Sequence, residues 1–342
     1  MSFRWPPILV ILLIFLLPVA AAHVPIIEGG GDELNDATVV EKPTKSWAIY
    51  THYEAGQVDY YRLNMKQGEI IFLMLMVPAT EGERGFAPDL ALMGPGLEDN
   101  GTLPEQVQRA DGGAIVRNGE IPPEPTYEPF SPSVFYEIIE LSISAPSDGD
   151  YYVAIYNDNG GDYSLAVGKE ESFTITEWLT IPIALLRVYQ WEGQEWWAIA
   201  LPGVMAFLIG LMVMISDSRK RQQRPDLLWL IVVASGLLMI SSGVVTGYQM
   251  INKLFQIGAF EPAALLTMIF AAIPILLGAA ALRMAHRFPR QPSSGANLRR
   301  RMFLLAIGLL GLLTWSGWLL GPVLAILAAA LPQRWLDHPI RR

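Results

Sequence analysis

Two histidines open the question of chemistry: His23, which directly follows PVAAA, and His52, in SWAIYTHY. Cleavage of an export signal after Ala22 would leave His23 at a free terminus, where its amine and imidazole can chelate one metal ion. His52 would add a third nitrogen, and such a donor set suits Cu(II). The same residues also read as a cleavage site that falls before a histidine, with His52 at a strand end. Asp158, Asn159 and Asp162 in NDNGGD, with Asp148 and Asp150 nearby, could offer oxygen ligands to calcium. That stretch equally carries the Asn-Gly pair of a tight hairpin turn. Met74 and Met76 share one face of a strand, as soft-metal ligands or, more commonly, as core filling. Cysteine is absent, which excludes disulfides, thiolate catalysis and Cys-ligated zinc or iron–sulfur centres. No Ser/His/Asp set is readable, so no catalytic residue is assigned.

The elements that must hold these residues begin with the signal itself. Arg4 supplies a positive flank, ILVILLIFLLPV (8–19) an apolar core, and Ala20 and Ala22 an Ala-x-Ala cut site. Residues 1–22 are therefore expected to be a cleaved signal peptide, the apolar run being short of the roughly 20 residues a span needs. Residues 23–195 hold 29 acidic and 9 basic residues, and that excess of negative charge argues against a nucleic-acid partner.

From residue 46 to 168, segments rich in aromatic and β-branched residues alternate with Gly, Pro, Asn and Asp turns. They are 46–53, 58–65, 69–77, 89–94, 113–119, 134–144, 150–158 and 162–168. This punctuation predicts an antiparallel, jelly-roll-like β-sandwich over 23–170. A long Pro/Gly-rich loop (95–133) carries the sequon Asn100-Gly101-Thr102.

The stretches VDYYRLNMKQGEIIFLMLMVP, PDLALMGPG and GDYYVAIYNDNGGDYSLAVG resemble the bacterial and archaeal pre-peptidase C-terminal domain over roughly 45–168. The resemblance implies a paired-strand YYxFxxxxGxxI motif, a DLxLxxPG strand and a closing GxYYVxVxNxxGxGxYxL hairpin. It also implies a non-catalytic module of the kind that accompanies secreted hydrolases. Here a membrane domain follows the module, and no protease domain precedes it.

Residues 171–195 contain Thr174 and Glu177 at capping-box spacing, with Pro182 expected to kink or restart the helix. They read as an interfacial helix and linker. Four apolar stretches follow, 196–215, 227–251, 263–282 and 303–331, each long enough to span a bilayer; 332–342 form a tail. The last stretch, 29 residues, is long for one upright span and fits a tilted helix or a partly re-entrant segment. Arg219, Lys220, Arg221 and Arg224 lie in the first interspan loop; Arg283, Arg287, Arg290, Arg299, Arg300 and Arg301 lie in the third. The second loop, 252–262, holds only Lys253. The positive-inside rule places both basic loops in the cytoplasm and 23–195 outside, although Arg334, Arg341 and Arg342 would then end outside.

Ser241, Ser242, Thr246 and Tyr248 supply hydroxyls within the spans, and the stretches contain no ionisable group. Gly243-xxx-Gly247 and Gly317-xxx-Gly321 allow close helix approach, within one chain or in a homo-oligomer. The expectation is a membrane-anchored surface protein, non-catalytic, whose sandwich binds a ligand, an envelope polymer or another envelope protein, with membrane lipid around its helices. The alternatives are a copper-binding exported protein using His23 and His52, and an enzyme or transporter with its site in the spans.

Overall fold

The computed structural model describes residues 23–27, 29–222, 226–286 and 294–331. The signal segment, Arg224, Arg287, Arg290 and the tail with Arg334, Arg341 and Arg342 lie outside the described residues.

The first half is a two-sheet sandwich. Its strands are β1 (Val24–Ile27), β2 (Thr38–Val40), β3 (Trp47–Tyr53), β4 (Val58–Met65), β5 (Ile70–Pro78) and β6 (Asp89–Gly94). β7 (Gly113–Arg117), β8 (Thr126–Glu128), β9 (Ser133–Ser144), β10 (Gly149–Tyr156) and β11 (Gly161–Val167) complete it, with a short helix α1 (Ala79–Glu83) after β5. All eight expected strands form; β1, β2 and β8 are additional. One sheet has the order β1-β3-β11-β5-β9-β8, the other β2-β4-β10-β6-β7. Successive strands therefore mostly switch sheets; only β6–β7 and β8–β9 are antiparallel pairs of consecutive strands among the described residues. β1 and β2 are exceptions in direction, pairing parallel with β3 and β4.

Alternation explains the core. On β4, Tyr61 and Leu63 point between the sheets, opposite Val153 and Tyr151 of β10. On β11, Leu165 lies between Ile49 of β3 and Leu75 of β5, and all three are buried. The opposite face of the five-stranded sheet is covered too: Tyr60, Met93 and Tyr156 pack under Val107 and Ala110 of the long loop. The Gln108 N–H donates to the Tyr60 hydroxyl at 2.7 Å and pins that loop.

Two local expectations change. Asn157–Gly160 is not a hairpin turn, because β10 and β11 belong to different sheets. It is a corner, in which the Asn157 side chain accepts from the Asn159 N–H at 2.9 Å and neither Asn159 nor Gly160 has positive φ. Met74 and Met76 share a face, but it is the outer one; Leu73 and Leu75 fill the inter-sheet core.

The second half is helical: α2 (Ile175–Trp191), α3 (Trp196–Lys220), α4 (Leu227–Ile257), α5 (Ala264–His286), α6 (Ser294–Leu313) and α7 (Leu320–Ala330). α2 begins with the complete Thr174–Glu177 capping box and runs unbroken through Pro182. Lys45 fastens its first turn to the sandwich through Glu177, at 2.6 Å. Its Ile175, Leu179 and Ile183 recur at i, i+4 and i+8 and stay exposed, an apolar stripe suited to a bilayer surface.

α3, α4 and α5 are each long and apolar enough to cross a membrane. α6 and α7 make one stretch bent by 119° at a break. The break comprises Trp315–Leu319, where Trp315, Gly317, Trp318 and Leu319 all have positive φ. Ser242 holds it: its hydroxyl accepts from the Gly317 N–H at 2.7 Å and donates to the Met239 carbonyl at 2.8 Å. The Arg301 guanidinium donates to the Leu331 carbonyl at 2.8 Å, so both ends of the bent stretch meet at one end of the bundle. The stretch is thus re-entrant in shape rather than a tilted rod. Gly236 and Gly278 abut where α4 crosses α5; a Cβ on Gly278 would lie 2.3 Å from the Gly236 carbonyl oxygen. Gly243, Gly317 and Gly321 likewise serve contacts inside the chain, while Gly247 faces open space.

Candidate functional site at the sandwich–helix junction

The structure does not bring His23 and His52 together. Val24 pairs with Trp47, and His52 lies five residues farther along β3, about 17 Å at 3.3–3.4 Å per residue. His23 Nδ1 lies 2.6 Å from Ser46 Oγ, and burial holds its imidazole below the usual pKa. His52 is largely exposed and meets Asp162 at 2.8 Å. The calcium candidates divide as well. Asp162 is engaged by His52, whereas Asp148 and Asp150 lie at the far end of β10 from Asp158. Asp148 accepts from the Gln67 N–H at 2.7 Å, and Asp150 from the Asn64 amide at 2.7 Å. Among the described residues, no group of three His, Cys, Asp or Glu side chains is placed to hold a metal ion.

The polar machinery lies elsewhere. α4 continues beyond the expected span, so Lys253 is a helical residue in its last turns rather than part of a loop. Its ammonium meets Glu192, just past the end of α2, at 2.8 Å; the side chains are 4% and 2% exposed. The same Glu192 oxygen accepts from the Val134 N–H of β9 at 2.9 Å, while the other carboxylate oxygen is buried without a partner among the described residues. Three segments distant in sequence thus converge on one carboxylate. Burial pushes the Glu192 carboxyl up to about 7, against the opposing pull of Lys253 and the Val134 N–H.

Around this pair the two halves share one apolar cluster. Ala264 is buried within the sandwich core, with Met250, Leu254 and Ile257 of α4 packed against it. Tyr50 on the outer face of β3 stacks edge-on against Trp191 at 5.0 Å, and Phe130 meets Phe270 at 5.1 Å. Thr267 of α5 donates to the Pro129 carbonyl at 2.8 Å and lies 2.8 Å from the Tyr127 hydroxyl. Gln194 and Gln249 exchange amide hydrogen bonds at 2.9 Å. Burial, then the nearby carboxylates Glu128 and Glu192, raises the Tyr50 phenol far above its ordinary range.

A second polar chain crosses the sandwich. The Trp191 indole donates to the Tyr163 carbonyl at 3.0 Å. The Tyr163 hydroxyl donates to Asp59 at 2.5 Å and lies 2.7 Å from the Tyr61 hydroxyl. Burial raises the Asp59 carboxyl, and the Tyr163 bond partly offsets it. Neither Glu192–Lys253 nor Asp59–Tyr163 was legible as a pair: the partners are 61 and 104 residues apart. The one available signal was charge at the edge of apolar segments.

No family model and no curated protein matches this chain. Among solved structures, it is similar to PliG from Aeromonas hydrophila, a periplasmic inhibitor of g-type lysozyme, at 16% identity and TM-score 0.24, covering 38% of this chain and 93% of that one. PliG from Salmonella Typhimurium, an inhibitor of the same kind, gives 12% identity and TM-score 0.22, covering 39% and 97%. CorA, a surface-associated copper-binding protein important in copper acquisition by Methylomicrobium album BG8, gives 10% and 0.21, covering 43% and 100%. Likeness at this level carries no argument about activity.

Proposed function

We propose that this chain is a membrane-anchored binding protein whose sandwich faces the outside of the cell. Its ligand is an envelope polymer, a small molecule or a partner protein, and the sandwich binds it without catalysing a reaction. The buried Glu192–Lys253 pair carries the reading: it locks the binding module to its anchor as one body, instead of leaving a domain on a loose tether. Charge supports the orientation. α3 ends at Lys220 and α5 at His286, away from the junction, and Arg219, Lys220, Arg283 and Arg299–Arg301 gather at that far end. The pre-peptidase C-terminal-like reading belongs to the same proposal, supported by the formation of strands β4, β5, β6 and β10 at the quoted motifs.

Single cysteines test the orientation in this cysteine-free chain. In intact cells, a membrane-impermeant maleimide should label Asn100→Cys on the exposed loop and leave Gln222→Cys unlabelled. The reverse pattern overturns the orientation and, with it, the proposed function.

A further inference from the structure

A proline opens a hydrogen-bonding site on α2. Pro182 has no N–H to return to the carbonyl four residues before it, that of Trp178. The Trp315 indole donates to this carbonyl at 2.9 Å, and the two indole rings lie 5.5 Å apart. Trp315 belongs to the break between α6 and α7 and holds a left-handed backbone (φ 47°). Trp318 (φ 51°) and Leu319 (φ 66°) follow in the same conformation. Non-glycine residues rarely keep it unless the surroundings enforce it. Two other helices supply contacts that do so: α4 through Ser242 and the Gly317 N–H, and α2 through the Trp178 carbonyl.

The turn of α2 that receives Trp315 is also the one fastened to the sandwich. Glu177, next to Trp178 in the chain, pairs with Lys45, whose ammonium also sits 4.2 Å over the Trp47 ring of β3. Lys45 is buried, so salt screens this attachment less than it screens a surface pair. The Thr174–Glu177 capping box fixes the shape of the same turn. Direct contacts thus run from β3 through Lys45, Glu177, Trp178 and Trp315 to the left-handed turn, and through Ser242 into α4.

We propose that the first turn of α2 is a conformational relay between the sandwich and the helical bundle. With the Lys45–Glu177 bridge closed, α2 presents the Trp178 carbonyl to Trp315 and the left-handed turn is held. With the bridge open, the turn loses its support from α2 and loosens, so a change at one end is felt at the other. The sandwich is therefore coupled to the bundle as well as fixed to it. The coupling is the same whatever the sandwich binds and whichever side of a membrane it faces.

The test is amide hydrogen exchange of the full chain in detergent, read by mass spectrometry on peptides covering Trp315–Leu319. Lys45→Met removes the bridge and leaves the sequence of α2, with its capping box, untouched. Exchange at the turn should rise about fivefold, the factor one net hydrogen bond is worth. Trp315→Phe, which lacks the indole N–H, should give a similar rise. Adding Lys45→Met to it should add nothing, because the path is already cut. Pro182→Ala returns an N–H to the Trp178 carbonyl, in competition with Trp315. It should slow exchange within α2 and yet quicken it at the turn, opposite signs that a general loss of stability does not produce. This variant also carries the test if Trp315→Phe folds poorly. Peptides of β10, in the sheet away from α2, should exchange as in the wild type. Unchanged exchange at the turn in Lys45→Met or in Pro182→Ala overturns the relay. So do effects of Lys45→Met and Trp315→Phe that multiply in the double variant, or a rise in β10 equal to that at the turn.

Discussion

Removing the ammonium from the Glu192–Lys253 pair should produce a stability defect that deepens with pH. Lys253→Met leaves the Glu192 carboxylate buried beside the Val134 N–H alone. A buried lone charge can escape by neutralising, so the cost of the variant is bounded by the free energy of that proton transfer. Relative to a solution value of 4.5, protonating a carboxylate costs about 2 kcal/mol at pH 6 and about 6 kcal/mol at pH 9. At roughly 2–4 °C per kcal/mol, the Tm of Lys253→Met should fall by up to about 8–16 °C between these two pH values. The assay is thermal unfolding of the full chain in detergent, followed by tryptophan fluorescence at pH 6, 7.5 and 9. The wild type has its own signature. Because the folded-state pKa of Glu192 lies above 4.5, the stability from this group is complete below about 4.5 and is lost as the pH rises through about 7. A Lys253→Met melting temperature that does not fall across this range, or a variant indistinguishable from wild type, refutes the reasoning.

Two further substitutions probe each half. Ile155→Asp places a carboxylate at a fully buried position between the sheets and should cost more than about 4 kcal/mol, read as loss of the β-rich circular-dichroism spectrum and of cooperative melting. Gly278→Ala drives a methyl into the Gly236 carbonyl and should lower Tm by several degrees, whereas Gly247→Ala, which meets open space, should leave it unchanged; similar melting of the two variants would refute the close crossing of α4 and α5.

What the sequence conveyed well was strand composition. β4, β5, β9, β10 and β11 are long runs rich in aromatic and other apolar residues, set between Gly, Pro, Asn and Asp turns, so they are readable one at a time. β1, β2 and β8 span only three or four residues each, too few for alternation to register. Partnership was not readable. NDNGG has hairpin composition, yet β10 and β11 join different sheets, because sheet membership depends on which faces must be buried and not on the turn residues alone. The same limit hid the site. Lys253 follows an apolar run and so looks like a loop charge, until α4 is seen to enter the sandwich and meet a carboxylate from α2. His23 and His52 had the right chemistry but the wrong register. Length was informative in one case: a stretch too long for one span and too short for two is what a bent pair requires.

That bent pair also sets the parity of the chain. In the proposed membrane anchoring, α3, α4 and α5 would each cross once and α6–α7 would return to its starting level, which makes the crossings odd in number. Arg301 and Leu331 meet, so residue 331 lies at the arginine-bearing end of the bundle, opposite the sandwich. A reporter fused after residue 331 would share a compartment with the basic loops, and the mismatch between tail charge and four full crossings disappears.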